Sequence, residues 1–302
     1  TAEITTLVWN HADYSVQTEV NYDVEVALSG TDFATVVPAG STTNRFLVWT
    51  HEALNAVALQ AGLIPYSAGD LDVRIKSSLG SNSEMVAYSN TITLTITPYT
   101  TDLPQIAVPG NHQGLSPSTA PRLAASGFGQ TDYEGYVALD GEFKFVGPNG
   151  SGAYEWGNDD WGDDGTFSGM LALTGESNCT ATAGYYKINA NTTTLAYTTT
   201  LTTWGVLGSA TAPVTGGDGW GTDANMTYNP TTKKWSIVIN LVGGQEIKFR
   251  ANDAWGLNYG DNGADASLEE GGSNIAVPST GDYLVELDLS NPRAYTYTLT
   301  PQ

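Results

Sequence analysis

Lys248, Arg250, Asn252 and Trp255 fall within one short run, Ile247-Lys248-Phe249-Arg250-Ala251-Asn252-Asp253-Ala254-Trp255-Gly256-Leu257-Asn258-Tyr259-Gly260. Side chains two apart on a strand share a face, so Lys248 and Arg250 are predicted to project together while Phe249 points to the core. The loop that follows is rich in Asn, Asp and Gly and carries Trp255, a setting in which an indole is awkward to bury. Hydrogen-bond donors beside an exposed aromatic plane suit a neutral, hydroxyl-rich ring. The chemistry they point to is sugar binding. An echo of the run stands about a hundred residues earlier, where Phe143-Lys144-Phe145-Val146 is followed by Trp156 and by Asp160-Trp161-Gly162. The candidate ligand-binding residues are therefore Lys248, Arg250, Asn252 and Trp255, with loop-borne Trp220 and with Trp204 beside a strand start. In the earlier copy they are Lys144, Trp156 and Trp161. For each tryptophan the competing role is packing, since aromatic residues of β-sandwiches usually belong to the core.

Catalytic patterns are weak by comparison. His11, His51 and His112 lie in different contexts, and no His-Glu-x-x-His, nucleophile elbow or phosphate-binding loop appears. Carboxylates are plentiful enough that sequence alone leaves a glycosidase pair open, but the expectation is a protein that is not an enzyme. The acidic loop Asn158-Asp159-Asp160-Trp161-Gly162-Asp163-Asp164-Gly165 places oxygen ligands at the short spacing that suits calcium. It lacks the twelve-residue loop closed by a bidentate Glu. A solvated turn is the competing reading, and neither metal nor cofactor is expected.

The elements that must position these residues are strands. Gly 34 and Tyr 16 with abundant Thr, against 14% charged residues, describe a β-rich chain, because β-branched and aromatic residues suit strands and Gly suits turns. A net charge of −21, from 11 basic against 32 acidic residues, excludes a nucleic-acid partner, which would need Lys and Arg for its phosphates. The single Cys179 rules out an internal disulfide framework and reads as a small buried side chain in a strand. No apolar run approaches the length of a membrane-spanning helix. The chain opens at Thr1 in what reads as the start of a strand, and an export and anchoring segment upstream is expected.

Three tandem β-sandwich domains are expected, over 1–100, 101–200 and 201–302. The first shows strand-like runs at Ile4–Trp9, Tyr22–Leu28, Leu71–Ile75 and Thr91–Thr97, several with period-two alternation. Its one predicted helix runs from His51 to Gly62, with Leu54, Val57, Ala58 and Ala61 at helical spacing. These features suit an immunoglobulin-like or fibronectin-like sandwich, and Pro98-Tyr99-Thr100-Thr101-Asp102-Leu103-Pro104 makes a boundary. The other two domains repeat each other: Val108-Pro109-Gly110 matches Val206-Leu207-Gly208, Phe143-Lys144-Phe145 matches Ile247-Lys248-Phe249, and Gly184-Tyr185-Tyr186 matches Gly281-Asp282-Tyr283.

Tyr22-Asp23-Val24-Glu25-Val26-Ala27-Leu28-Ser29-Gly30-Thr31-Asp32-Phe33, Leu54-Asn55, Leu71-Asp72-Val73-Arg74-Ile75-Lys76 and Thr97-Pro98-Tyr99 resemble the amino-terminal domain of the SusE/SusF family. Trp204-Gly205-Val206-Leu207-Gly208-Ser209-Ala210-Thr211, Gly219-Trp220, the Lys-Phe-Arg-Ala-Asn run and Gly272-Ser273-Asn274-Ile275 resemble the carbohydrate-binding module of the same family. The resemblance spans essentially the whole chain. It implies a non-catalytic, lipid-anchored glycan-binding protein on the external face of the outer membrane, holding starch or a related α-glucan near a porin and SusD-like complex. The membrane would be touched only through the anchor. It also implies that the amino-terminal domain does not bind sugar and that the site residues are Lys248, Arg250, Asn252 and Trp255, then Trp220 and Trp204. The middle domain departs from the pattern, with Ile106 in the place of Trp204, Leu115 after Gln113-Gly114, and Val146 in the place of Arg250. Its site is expected to be the weaker one. A β-glucan or chitin ligand, or a structural or adhesin module, remains an alternative from composition alone.

Overall fold

The structure is a computed structural model that describes residues 3–16, 18–80 and 84–302. The fold is all-β, and its described residues divide into two compact units, Thr1–Asp102 and Leu103–Gln302.

In the first unit, strand Val20–Leu28 alternates buried and half-buried side chains along its length, placing Val20, Tyr22, Val24 and Val26 in the core. It pairs on one side with Val37–Thr42 and on the other with Gly69–Leu79, which in turn pairs with Glu84–Tyr88 and Ile92–Ile96. A second, two-stranded sheet joins Glu3–Val8 to Phe46–Thr50. Val37–Thr42 was not legible in advance, because Pro38 and Gly40 obscure its alternation. The helix runs His51–Gln60, starting where the Thr50 hydroxyl accepts from Ala53 N at 3.1 Å, and buries Leu54, Val57 and Ala58. Asn55 in that helix exchanges two hydrogen bonds with the backbone of Tyr99, at 2.9 and 2.7 Å, and so ties down the end of the unit.

The second unit contains both sequence repeats. In the first, an eight-stranded path runs Leu171–Ala172, Asp160–Asp163, Phe145–Val146, Gln105–Ala107, Arg122–Ala125, Asp132–Leu139, Gly184–Asn191, Ala196–Thr202. The second separates into two sheets. One holds Ala224–Asn225, Trp204–Leu207, Glu246–Ala251, Asn258–Gly260 and Glu269–Glu270, with Ile275–Ala276 also on Glu246–Ala251; the other holds Thr227–Asn229, Lys234–Leu241, Gly281–Asp288 and Thr296–Pro301. Small devices recur in both. The Tyr186 hydroxyl donates to Thr182 O at 3.0 Å, and the Tyr283 hydroxyl donates to Ser279 O at 2.9 Å.

The two repeats also share a buried cluster. Tyr136 and Tyr185 of the first repeat belong to the same buried cluster as Trp204, Trp235, Tyr259 and Tyr295 of the second. The Tyr136 and Tyr259 hydroxyls meet at 3.1 Å, Arg293 Nε donates to Ala124 O at 2.8 Å, and Lys187 Nζ lies 2.7 Å from Glu270. Large aromatic side chains at a seam bury enough area to join two sandwiches into one body. No motif announces such a seam, because Tyr136, Tyr185 and Tyr259 sit in ordinary strands and Tyr295 just before one.

Candidate functional site

Strand Glu246–Ala251 carries the centre of the site. Ile247 and Phe249 are fully buried beneath it, and Glu246, Lys248 and Arg250 occupy its other face. Past the strand, Asn252 and Asp253 both adopt left-handed backbone conformations, φ 56° and 54°, which Asn and Asp tolerate better than most residues. The chain turns there and presents Trp255, which is 46% exposed. The Asn258 amide donates to Trp255 O at 2.9 Å and closes the loop.

Trp220 arrives from a second loop. Its N–H bonds to Asp218 Oδ1 at 3.0 Å, and Gly219 before it has φ +82° and crosses Gly208 so closely that a Cβ would stand 1.9 Å from Gly208 O. Only glycine fits this crossing. The half-buried Trp220 ring then lies 6.1 Å from that of Trp255, with the two planes inclined at 35°. Two adjacent indoles at an angle form a concave apolar surface. Lys248, on the same strand face as Arg250, is half-buried, and burial lowers its pKa with no carboxylate among the described residues to counter the effect.

In this repeat three expectations need correction. Arg250, expected at the surface, is only 4% exposed. Its Nη2 is 2.7 Å from Asp223 Oδ1, and the guanidinium stacks 4.9 Å from the centre of the Trp255 ring. It faces away from the core as strand periodicity demands, yet the loops bearing Trp220 and Trp255 cover it. Trp204 is 1% exposed and stacks on Tyr259 at 5.4 Å within the seam between repeats, so it offers no platform. Asn252 uses its amide on the backbone: Oδ1 accepts from Thr203 N at 2.8 Å and Nδ2 donates to Leu201 O at 2.8 Å. It fixes the loop to the chain entering the second repeat.

In the first repeat Lys144 is held by two carboxylates, Asp160 at 2.8 Å and Glu176 at 2.5 Å, and lies 5.9 Å from the Trp156 ring centre. The Lys144 hydrogen bond holds Glu176 below its ordinary pKa. Trp156 is 46% exposed, and its indole N–H donates to Leu115 O at 3.0 Å. Trp161, expected in a loop, lies in strand Asp160–Asp163 and packs half-buried on the core that holds Phe143 and Phe145. The structure thus brings Lys144 and Trp156 together and leaves Trp161 largely to packing.

The acidic loop is organised from within. Asp163 is fully buried and accepts from Gly165 N at 2.8 Å, Phe167 N at 2.7 Å and the Tyr197 hydroxyl at 2.8 Å. Asp261 repeats the arrangement with Gly263 N at 2.9 Å, Ala266 N at 2.9 Å and the Tyr297 hydroxyl at 3.1 Å. At Asp261 burial acts to raise the pKa, but these donors outweigh it and hold the carboxyl below the usual range. Sequence reasoning missed this pair, although Asp-x-Gly recurs at both places in repeat register. It also missed Asp223, whose isolated sequence context carries no signal.

The family model described as SusE outer membrane protein matches residues 1–76. Among solved structures, the crystal structure of SusF from Bacteroides thetaiotaomicron aligns over 95% of this chain and 70% of its own, at 17% identity and a TM-score of 0.29. No curated protein matches the chain. Among the described residues no helix is long and apolar enough to cross a membrane.

Proposed function

We propose, from the premise that this is a SusE/SusF-like chain whose amino-terminal residues match an outer membrane protein family, that it is a non-catalytic glycan-binding protein of the outer membrane's external face. Starch or a related α-glucan is the proposed ligand. A lipid anchor would hold it there, beside a porin and SusD-like complex that receives the glycan. The observation that carries the ligand class is the Trp220–Trp255 pair, 6.1 Å apart and inclined at 35°. A curved α-glucan presents successive sugar faces at an angle, whereas a flat β-glucan presents them in one plane. Lys248, on the same strand face as Arg250, supplies hydrogen bonds to sugar hydroxyls. The first repeat provides the weaker site, with Trp156 as platform and Lys144 as donor.

An open platform leaves one face of the sugar in water, so binding is expected to be weak, with Kd on the order of 0.1–1 mM, about −4 to −5.5 kcal/mol. The deciding experiment is a titration of the protein with maltoheptaose, cellohexaose and chitohexaose by calorimetry, with reducing-end release followed in parallel. Binding of maltoheptaose alone, without hydrolysis, is the expected result. Preference for either flat chain would replace the ligand assignment, and release of reducing ends would overturn the non-catalytic reading.

A further inference from the structure

The ion pair under Trp255 has no role in a site built from exposed contacts. Arg250 and Asp223 have side chains 5% and 1% exposed, respectively, and stand 2.7 Å apart. Ion pairs buried to this degree are weak evidence for stability, because desolvation offsets most of their attraction. The geometry gives this pair something else to do. One guanidinium touches both halves of the aromatic platform: it stacks 4.9 Å from the Trp255 ring centre, and its Nη2 donates at 3.3 Å to Gly221 O, the carbonyl next along the chain from Trp220. Gly205 faces Arg250 in strand register, and a Cβ there would come within 2.6 Å of Asp223 Cβ. The glycine makes room for the carboxylate.

The first repeat shows what this place looks like without the polar set. Ala107 faces Val146 on one side and Arg122 on the other, as Gly205 faces Arg250 and Asn225. Two residues before Arg122 stands Ala120, and two before Asn225 stands Asp223. Ala107, Ala120 and Val146 form a small apolar cluster of their own. The same strands therefore assemble without a buried Arg–Asp pair: in the first repeat Arg122 instead stacks 3.8 Å over the Tyr154 ring and donates to Ala120 O at 2.7 Å, and the ion pair goes with the repeat that has the paired indoles.

We propose that Asp223 is a positioning residue of the glycan site: it fixes Arg250 beneath Trp255 and thereby sets the angle between Trp220 and Trp255 that selects a curved glucan over a flat one. The inference rests on the glycan-binding reading of the platform, and a readout that needs no ligand separates the two. Near-ultraviolet circular dichroism of the full chain reports the coupled indoles, with the band identified by its loss in Trp255→Phe. Asp223→Asn is expected to diminish that band, to weaken maltoheptaose binding about tenfold and to reduce the preference for maltoheptaose over cellohexaose. Asp223→Glu should restore part of each. A band that survives Asp223→Asn, or a preference that does not change, overturns the proposal. Should Asp223→Asn fail to fold, the double variant Asp223→Ala, Arg250→Val, copied from the first repeat, takes its place with the same expected loss of band and preference. If the parent protein binds neither glucan, the ligand reading and the selection role fall, while the band alone decides whether Asp223 holds the pair.

Discussion

The two repeats of the second unit place different chemistry on the same scaffold. In the second, Gly205, Asp223 and Arg250 make a buried polar support beneath paired indoles, and Lys248 has no carboxylate partner among the described residues. In the first, Ala107, Ala120 and Val146 fill the equivalent place with apolar volume, and Lys144 is held by Asp160 and Glu176. A lysine already donating to two carboxylates must give one up before it can donate to a sugar hydroxyl. The difference teaches that a shared Lys-Phe strand is not enough for equal binding. What surrounds the lysine and what lies under the tryptophan set the capacity of each site.

The most disruptive way to break the comparison is Arg250→Val alone, which imports the first repeat's residue without its neighbours. Asp223 is then left buried and unpaired, and a loss of about 3–5 kcal/mol is expected in denaturant unfolding. Adding Asp223→Ala should recover most of that stability without recovering glycan binding. If the single variant is as stable as the parent, the ion pair is not the support described here.

Trp255→Ala and Trp156→Ala compare the platforms directly. The first should cost about 1–3 kcal/mol of maltoheptaose affinity, enough to abolish weak binding by that repeat. The second should remove only the weaker site. Separate titrations of the two variants check this, and a larger loss from Trp156→Ala would reverse the ranking of the sites. A smaller effect addresses the seam. Tyr136→Phe removes the hydroxyl that meets Tyr259, and about 1 kcal/mol of stability should go with it. Repeats that share a core should still melt together, so a calorimetric transition beyond one for each of the two compact units would contradict a common core.

The smallest effect is in the pH dependence, where the repeats carry opposite signs. Glu176 has its pKa depressed by Lys144, so its contribution is present above the ordinary carboxylate range and lost as pH falls through the lowered value. Burial raises the pKa of Asp223 despite Arg250, so its contribution is present at low pH and lost as pH rises through the raised value. Thermal melts of Glu176→Gln from pH 7 to pH 3 should fall less steeply on the acid side than those of the parent. An unchanged slope would remove Glu176 from the account.

Periodicity and local chemistry determined a good deal by themselves. Alternation in Tyr22–Leu28 and Leu71–Ile75 gives strands that bury one face. The spacing of Leu54, Val57 and Ala58 gives the one long helix, and the repeated Lys-Phe motif reveals the duplication and the two candidate platforms. These are properties of consecutive residues, fixed by a period of two or of 3.6 before any distant contact forms. Tertiary structure alone decided the rest. Trp204 and Tyr136 occupy ordinary strand positions until the repeats press together and bury them in a common core. Arg250 belongs to an outward face by periodicity, and it becomes buried because the Trp220 loop, distant in sequence, meets the adjoining Trp255 loop over it. Asp223 gains its meaning from a guanidinium on another strand and from the missing side chain of Gly205. Burial and pairing across such distances depend on which surfaces meet in three dimensions, and no local pattern encodes that.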